Sequence, residues 1–347
     1  MNFLKTFLVG ALISACAFLP SLTQAAEGSL NLITSPLPIN LVTKPGASVS
    51  TPIKIKNGGT DTEKLKISLM KFKAYESNGQ PQLMDPEPGD DFLKWVSFSE
   101  DTFTAVPDEW KTIQATFDVP QDAAFGYYYA IVFSRAADEK PTDSKQTAVV
   151  GGTAVLVLLE ARVADAKRAV EVTQFGTDKQ VYEFLPTTFT VKLKNTGSVH
   201  VAPRGNIFVN KGGDKDIAIL EINGNKGSIL PDSTRNFQEP WSDAFPVYVE
   251  KKQDGKVVLD DQGNRQMELQ WDWGQASKLR WGKYTAKMLL IYDDGQRDVP
   301  IEGEVSFWVV PWRLIGAGLF IAIFVLIGLK NTLQNMWKKA RGWFGKK

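Results

Sequence analysis

The feature that most restricts the fold of this chain is an uncharged apolar run near its carboxyl end. Residues 314–329, LIGAGLFIAIFVLIGL, carry no charged side chain and are bracketed by Arg313 and Lys330. A helix of this length extends about 24 Å, less than the roughly 30 Å hydrocarbon core of a bilayer, and Trp312 and the residues after Lys330 can complete the crossing. A helix in a globular core would contain polar residues on one side. The run therefore predicts a transmembrane helix over residues 312–332.

The charges that follow the run predict its orientation. Residues 330–347 contain six lysine and arginine residues and no acidic residue. Because cations are retained on the cytoplasmic side, we expect a single-pass protein of the cell membrane with a cytoplasmic carboxyl end and the amino-terminal part outside. Residues 333–347 also place Trp337 and Phe344 on one side of a helix, so this basic amphipathic tail is predicted to lie on the inner leaflet. Docking of a cytoplasmic partner is the alternative.

The amino-terminal residues are typical of a secretion signal. Lys5 precedes an apolar stretch, Pro20 interrupts it, and Ala25 ends a segment of small residues suited to cleavage. We interpret residues 1–25 as a signal peptide. The alternative is a lipoprotein site at Cys16, the single cysteine of the chain. If Cys16 is removed with the signal, the mature chain can form no disulfide and no thiolate metal site.

The charge of the middle region excludes one class of partner. Without Lys5, Arg313 and the six tail cations, 32 basic residues remain against all 39 acidic residues, a net charge near −7. Such a balance argues against nucleic acid as a partner. The length between the two ends suits two domains.

Short alternating runs separated by turn residues fill this middle region, which predicts an all-β fold. Two motifs occur twice in the same order: KIKNGG at 54–59 and KLKNTG at 192–197, then GYYYA at 126–130 and GKYTA at 282–286. The repeat predicts two tandem immunoglobulin-like β-sandwiches, at residues 27–164 and 165–311.

The repeated motifs also supply candidate structural residues. Asn57 and Asn195 end alternating strands in turns, while Gly126 and Gly282 end loops. We expect the tyrosine two residues after each glycine, Tyr128 and Tyr284, to hydrogen-bond to the backbone at a sandwich corner. These residues are assigned structural rather than ligand-binding roles.

The order of these turns and strand ends resembles the WxL-interacting-protein family of bacterial cell-surface proteins. The segments that carry the resemblance in the first half are 44–46 (KPG), 56–58 (KNG), Trp95, 119–123 (VPQDA) and 126–128 (GYY). Those in the second half are 195–200 (NTGSVH), 230–231 (LP), Ser233, Arg235, Trp241, 282–284 (GKY) and 307–312 (FWVVPW). The resemblance implies immunoglobulin-like domains, a C-terminal membrane anchor with a basic tail, and binding of peptidoglycan or surface partners. A charged insertion at residues 247–270, which we expect to form a hairpin, departs from the family pattern.

Residues for catalysis are sparse. His200 is the single histidine, and we expect it to make a structural hydrogen bond at a strand end. No nucleophile elbow, paired-histidine motif or phosphate loop occurs in the sequence, so we expect no enzymatic activity and no cofactor. Acidic pairs at 90–91, 260–261 and 293–294 lie in turn-like contexts, where aspartate hydrogen-bonds locally. Calcium sites at 260–264 or around Asp85, Asp90 and Asp91 are the alternative, although neither has complete loop spacing.

Tryptophans offer the best candidate contact surface. Trp271 and Trp273 are two residues apart, as on one face of a strand, and Trp281 and Trp241 are close in sequence. Because an inward strand face produces the same spacing, we favour burial in the core. The alternative is an exposed ligand platform whose indoles stack on sugar rings. For the insertion we favour a passive extension over a second contact surface.

These observations predict a non-catalytic, membrane-anchored cell-surface protein. It would present two sandwiches to a cell-wall polymer such as peptidoglycan, or to a surface protein, in adhesion or scaffolding. The alternative is a membrane-tethered chaperone-like factor for the export or assembly of surface proteins. A wall hydrolase is a third hypothesis, which the residue inventory disfavours.

Overall fold

A computed structural model describes residues 30–75, 79–136 and 151–344. The predicted signal peptide and Cys16 lie outside the described residues. Within them the chain forms two β-sandwiches followed by one long helix, which confirms the expected fold class. The predicted boundary at residues 164 and 165 falls in the connection between the last strand of the first sandwich and the first strand of the second.

Over residues 30–75, 79–136 and 151–161, the first sandwich contains ten strands in two sheets. One sheet has the order β1-β3-β8-β6 and the other β2-β10-β9-β4-β5, with β7 also paired to β4. All pairings are antiparallel except that of β2 with β10. The strands are β1 (Leu32–Ser35), β2 (Ile39–Thr43), β3 (Ser48–Asn57), β4 (Glu63–Ala74), β5 (Pro81–Met84), β6 (Val96–Phe98), β7 (Thr102–Ala105), β8 (Trp110–Asp118), β9 (Phe125–Arg135) and β10 (Thr153–Ala161).

The second sandwich repeats this plan with an insertion. Its sheets have the orders β11-β13-β16 and β12-β22-β21-β14-β15, and β12 runs parallel to β22 as β2 does to β10. The insertion consists of two short ladders, β17 with β20 and β18 with β19. The strands are β11 (Val170–Thr177), β12 (Val181–Tyr182), β13 (Thr187–Asn195), β14 (Arg204–Lys211), β15 (Asp214–Ile222), β16 (Thr234–Trp241), β17 (Val247–Glu250), β18 (Lys252–Gln253), β19 (Lys256–Val257), β20 (Met267–Gln270), β21 (Gly282–Asp293) and β22 (Asp298–Val309).

Each sandwich has its own core because its strands alternate apolar and polar residues. In β3, Ile53 and Ile55 are fully buried while Lys54 between them faces outward. In β13 the same alternation buries Val191 and Leu193. A period of two sends alternate side chains to opposite faces, so each strand supplies one core face.

A third apolar cluster joins the two sandwiches. Phe72 of β4, Ala130 of β9 and Leu158 of β10 are buried together with Leu230 from the second sandwich. Beside this cluster, Arg168 of the connecting segment binds the buried Glu160 carboxylate at 2.5 and 2.6 Å. The outer face of the sheet containing β9 is therefore covered, and β9 is buried on both of its faces.

A helix, α1 (Trp312–Phe344), follows the second sandwich. Its part from Trp312 to Trp337 is long and apolar enough to cross a membrane, and none of that segment is buried within the protein. The helix continues without interruption through the predicted span into the predicted tail. Its orientation and the placement of the tail on the inner leaflet stay predictions.

Candidate functional site

The two predicted turn asparagines hold equivalent corners of the two sandwiches. The buried Asn57 amide donates to the carbonyl oxygens of Asp61 and Ala105 at 2.7 and 3.0 Å, and its oxygen accepts from the Gly59 N–H at 2.9 Å. The buried Asn195 makes the corresponding three bonds, each 2.8 Å long, to Val199, Ile229 and Gly197. Both side chains are fully used within the fold, which leaves neither free for a ligand.

The prediction that Tyr128 occupies the corner of the first sandwich is wrong by one residue. The hydroxyl that accepts a backbone hydrogen bond belongs to Tyr127, at 3.2 Å from the Ala124 N–H. Tyr128 instead faces the second sandwich, where its ring lies 5.8 Å from Phe72 and 5.9 Å from His200. Burial raises the pKa of Tyr128, whose hydroxyl has no hydrogen-bond partner among the described residues.

A backbone difference explains this shift. The residue with positive φ is Phe125 in the first sandwich (67°) and Gly282 in the second (104°), so these two positions correspond. Tyr127 then corresponds to Tyr284, which is buried in the second core with the Trp281 N–H near its hydroxyl. A shift of one residue sends a side chain to the opposite face of the sheet. Gly126 has a different role, because a Cβ there would lie 2.4 Å from the Tyr128 hydroxyl.

His200 lies in the contact between the two sandwiches. Its Nδ1 atom is buried and has no hydrogen-bond partner among the described residues, so the expected strand-end bond is not made through that nitrogen. Burial lowers the pKa of His200, the Glu160 carboxylate raises it, and Arg168 lowers it. Within residues 30–75, 79–136 and 151–344, no group of three or more His, Cys, Asp or Glu side chains is arranged to hold a metal ion.

The acidic turns use their carboxylates internally. Asp260 accepts from the N–H groups of Gln262 and Asn264 at 2.9 and 2.8 Å, and these contacts lower its pKa. Asp90 accepts from the Glu87 N–H at 2.6 Å and pairs with Lys71 at 2.9 Å. Both carboxylates thus act as local turn acceptors, the role expected for aspartate in such sequences.

The predicted tryptophan group divides into one buried and three exposed side chains. Trp241 is 1% exposed and packs on Tyr284, so it takes no part in a surface platform. Trp271, Trp273 and Trp281 are 42, 71 and 61% exposed, so the favoured core interpretation is wrong for them. The first two do not lie on one strand face, since β20 ends at Gln270 and a 3-10 helix, Trp273–Lys278, follows.

The exposed indoles form an ordered surface. The rings of Trp271 and Trp273 stack with centroids 5.7 Å apart, and Phe245 contacts both at 5.7 and 5.2 Å. Trp281 lies under the Lys211 ammonium at 4.7 Å. Residues 271, 273 and 281 with Phe245 are called the aromatic end below.

Ion pairs brace the loops around the aromatic end. Asp243 accepts from Lys278 at 2.6 Å and from Arg280 at 2.9 Å. The Lys278 hydrogen bond holds the pKa of Asp243 below its usual range, with a further contribution from Arg280. The Asp243 charge is therefore matched by two cations, while the exposed Asp272 carboxylate, between Trp271 and Trp273, accepts from the Gly274 N–H at 3.0 Å.

A second exposed surface is the outer face of the sheet β12-β22-β21-β14-β15. It forms a shallow groove of about 790 Å³ with Phe208 and Leu289 on its floor. Charged side chains share this surface: Lys287 pairs in register with Phe208 on one side and with Glu304 on the other, and its ammonium lies 3.6 Å from the Glu304 carboxylate across β21 and β22. This surface is called the open groove below.

The predicted anchor flanks bracket the start and the far part of α1. Trp312 is 49% exposed, and the Arg313 guanidinium lies 3.4 Å from both the buried Glu183 carboxylate and the Tyr248 hydroxyl. Lys330 is exposed on the helix, 18 residues after Trp312. The first turn of the helix is thus fastened to the second sandwich.

No protein-family model and no curated protein matches this chain. The resemblance to the WxL-interacting-protein family accordingly stays a prediction. Among solved structures, the CsuC–CsuE chaperone–tip adhesion subunit complex from archaic chaperone-usher Csu pili of Acinetobacter baumannii aligns at 11% identity and a TM-score of 0.35, over 78% of this chain and 97% of that one. The class 5 fimbriae chaperone CfaA aligns at 13% and 0.33, over 70 and 100%. The E. coli chaperone DraB aligns at 11% and 0.32, over 80 and 99%.

These similarities extend no further than the fold. The fold itself defines the class of the molecule: a tandem immunoglobulin-like β-sandwich protein with one carboxyl-terminal helix long and apolar enough to span a membrane.

Proposed function

We propose that this chain is a non-catalytic, single-pass membrane protein that displays two immunoglobulin-like sandwiches outside the cytoplasmic membrane and binds a cell-surface partner. The binding surface is the open groove of the second sandwich. The basic residues after the span support this orientation, because cations flanking a span are retained in the cytoplasm.

One observation carries the choice of surface. The corresponding sheet of the first sandwich has its outer face covered by the second, through Phe72, Ala130 and Leu158. In the second sandwich the same face is uncovered and has Leu289 41% exposed at its centre. An exposed sheet face on which apolar side chains adjoin charged ones has the mixed composition of a non-obligate protein interface.

The partner class follows from the strand beside the groove. Among the described strands, β15 pairs with β14 alone, so its other edge makes no strand pairing. Ile219 of this strand is 56% exposed. An available edge next to an apolar surface favours an extended protein segment, which can add a strand and place alternate side chains in the groove. A surface protein is therefore favoured over a wall polymer.

Site-specific photocrosslinking in the host cell tests this proposal. A photoreactive amino acid replaces Leu289 in the groove, and the matched control replaces Thr190 on the outer face of the three-stranded sheet. We expect a discrete protein adduct at position 289 and none at position 190. Adducts of equal yield at both positions would contradict the choice of surface.

A second experiment separates protein from polymer. The detergent-solubilised full chain and its Leu289→Lys variant are sedimented with purified peptidoglycan. Retention that Leu289→Lys abolishes would assign the groove to wall polymer. We expect the wild type to remain in the supernatant.

The available edge of β15 also supports a second function, a membrane-tethered chaperone-like factor that holds client strands during export or assembly. A chaperone and a stable scaffold differ in the lifetime of the adduct. In a pulse-chase form of the crosslinking experiment, a chaperone loses its client adduct as the client matures, and a scaffold retains it. Deletion of the chain should lower client yield only in the first case.

A further inference from the structure

Half of the tryptophans of this chain lie near the start of α1. Trp308 and Trp312 are 46 and 49% exposed, and the three indoles of the aromatic end are exposed as well, giving five of the ten tryptophans in the chain. Solvent-exposed indoles at this density have a large apolar area in contact with water. Their position relative to α1 indicates which kind of molecule covers these indoles.

Strand order places the aromatic end beside the helix. β21 begins at Gly282, which pairs with Val309 at the end of β22, and Trp281 directly precedes Gly282. The 3-10 helix Trp273–Lys278 leads into that same strand start. Because β22 runs into α1, the loops around Trp273 and Trp281 lie at the end of the sandwich from which the helix leaves.

Aromatic contacts connect the helix start to the stacked indoles. The Tyr248 hydroxyl lies 3.4 Å from the Arg313 guanidinium. The ring of Phe184 then contacts Tyr248 at 6.2 Å and Trp271 at 6.4 Å. Trp271 in turn stacks on Trp273. A series of side-chain contacts, which passes through the buried Phe184, therefore connects the first turn of the helix to the most exposed indole.

The connection between the second sandwich and α1 is short and is held by a hydrogen bond. Val310 and Pro311 alone separate β22 from α1, and the Val310 N–H donates to the Tyr182 carbonyl at 2.7 Å. The uncharged run is also shorter than the roughly 30 Å hydrocarbon core. A short span draws its flanking residues toward the bilayer, so Trp312 and Arg313 must lie in the headgroup layer when the run is inserted.

We propose that the aromatic end of the second sandwich is a lipid-binding surface that lies in the interfacial layer of the outer leaflet. This inference rests on the proposed membrane span. Trp273 and Trp281 place their apolar rings among the glycerol and upper acyl groups, the region that indoles prefer. Lys211, beside Trp281, and Lys278 face the phosphate groups, while the Asp243 charge is matched by Lys278 and Arg280.

In this placement the exposed indoles contact lipid, and not the sugar rings considered as an alternative from the sequence. It also attaches the second sandwich to the bilayer through both the transmembrane helix and the aromatic end. The second attachment restricts rotation of the sandwich relative to the membrane. The open groove, on the outer face of a sheet that ends at the membrane, then has a defined height and direction above the outer leaflet.

Spin labels on the full chain in nanodiscs test the inference. The chain carries Cys16→Ser, and a nitroxide is attached to a single introduced cysteine in Trp273→Cys or Trp281→Cys. The matched control is Trp110→Cys, an indole 52% exposed on the first sandwich, and Ile321→Cys reports the span itself. The nanodiscs contain phosphatidylcholine and phosphatidylglycerol, and relaxation by oxygen is compared with relaxation by a water-soluble nickel complex.

We expect the oxygen-to-nickel ratio at positions 273 and 281 to exceed that at position 110 severalfold and to be lower than at position 321. Ratios at 273 and 281 equal to that at 110, with a high ratio at 321, would overturn the lipid-binding surface and leave the span intact. A low ratio at 321 would overturn the span, and with it this inference. All three labelled positions outside the span are solvent-exposed, so the substitutions leave the cores unchanged.

Discussion

The two sandwiches share one plan and differ in what covers the outer face of the larger sheet. In the first, β9 is buried on both faces, because the second sandwich covers Ala130 and Val132. In the second, β21 alternates between buried and exposed residues, and its outer face borders the open groove. The same strand position thus holds the two halves together in one case and is available to a partner in the other.

This difference shows how duplication can supply both rigidity and binding from one architecture. The buried corner asparagines are alike in the two halves, because each satisfies backbone groups of its own sandwich. Side chains on the outer sheet face satisfy no backbone groups of their own sandwich, so their identity can differ between the two halves. We therefore expect substitutions at equivalent buried corners to have similar effects on the free energy of unfolding, and substitutions on the two outer sheet faces to have different effects.

The largest expected effect compares the covered and the open face with one substitution. Leu158→Lys places an unpaired charge in the cluster between the sandwiches and should lower the free energy of unfolding by about 3 to 5 kcal/mol. Leu289→Lys on the open face should change it by less than about 0.5 kcal/mol. Denaturant unfolding of the detergent-solubilised full chain, followed by circular dichroism, measures both. Equal effects would contradict the assignment of covered and open faces.

The next effect tests the equivalence of the corners. Asn57→Ala and Asn195→Ala each remove three hydrogen bonds and leave buried carbonyl oxygens unsatisfied, so each should cost about 3 kcal/mol. The control Asn40→Ala, on the exposed side of β2, should be close to neutral. A large effect at one corner and none at the other would show that the repeat is not structurally equivalent there.

A smaller effect tests the corrected alignment of the tyrosines. Tyr127→Phe removes the hydroxyl that accepts from the Ala124 N–H and should cost about 1 kcal/mol. Tyr75→Phe, at an exposed position, serves as the control. Should Tyr127→Phe match that control while Tyr128→Phe is destabilising, the original assignment of the corner to Tyr128 would be restored.

The smallest effect is a pH dependence at the contact between the sandwiches. The folded-state pKa of His200 lies below its ordinary value of 6.5 because of burial, with the nearby Glu160 opposing and Arg168 adding to the decrease. The unfolded chain therefore binds the proton first, and stability falls as the pH drops below 6.5 toward the folded-state pKa. The contribution of neutral His200 is complete above pH 6.5. Unfolding titrations between pH 5 and 8 measure it, following the ordinary titration range of histidine.

The matched variant for this effect is His200→Gln, which should remove the pH dependence in that window. His200 is the single histidine of the chain, so no second imidazole contributes. An unchanged pH profile in His200→Gln would assign the dependence to other groups.

Much of the fold was accessible from local sequence patterns. The alternation in KIKNGG and KLKNTG predicted two equivalent strand ends, and both asparagines occupy buried corners. The second repeated motif was misaligned, because GYYYA contains three successive tyrosines and the left-handed residue is Phe125 rather than a glycine. A bulky residue with positive φ has no sequence signal, so the side chain that faces the corner could not be assigned.

The aromatic site shows the same division. Of the four candidates, Trp241 is buried on Tyr284, whereas Trp273 is the most exposed. Spacing of two residues describes a strand, and it loses its meaning where β20 ends and a 3-10 helix begins. The ion pairs of Asp243 with Lys278 and Arg280, 35 and 37 residues away in sequence, were not foreseen.

Local sequence patterns were sufficient to predict a chain of two related all-β halves followed by an apolar helix. Period-two alternation and an uncharged run are local properties, and the hydrophobic effect acts on them wherever the chain folds. Packing between distant segments controls which sheet face is covered, which tyrosine reaches its corner, and which indoles remain in contact with solvent. Those outcomes depend on residues far apart in the chain, because burial is set by the neighbours that pack against a side chain and not by the side chain alone.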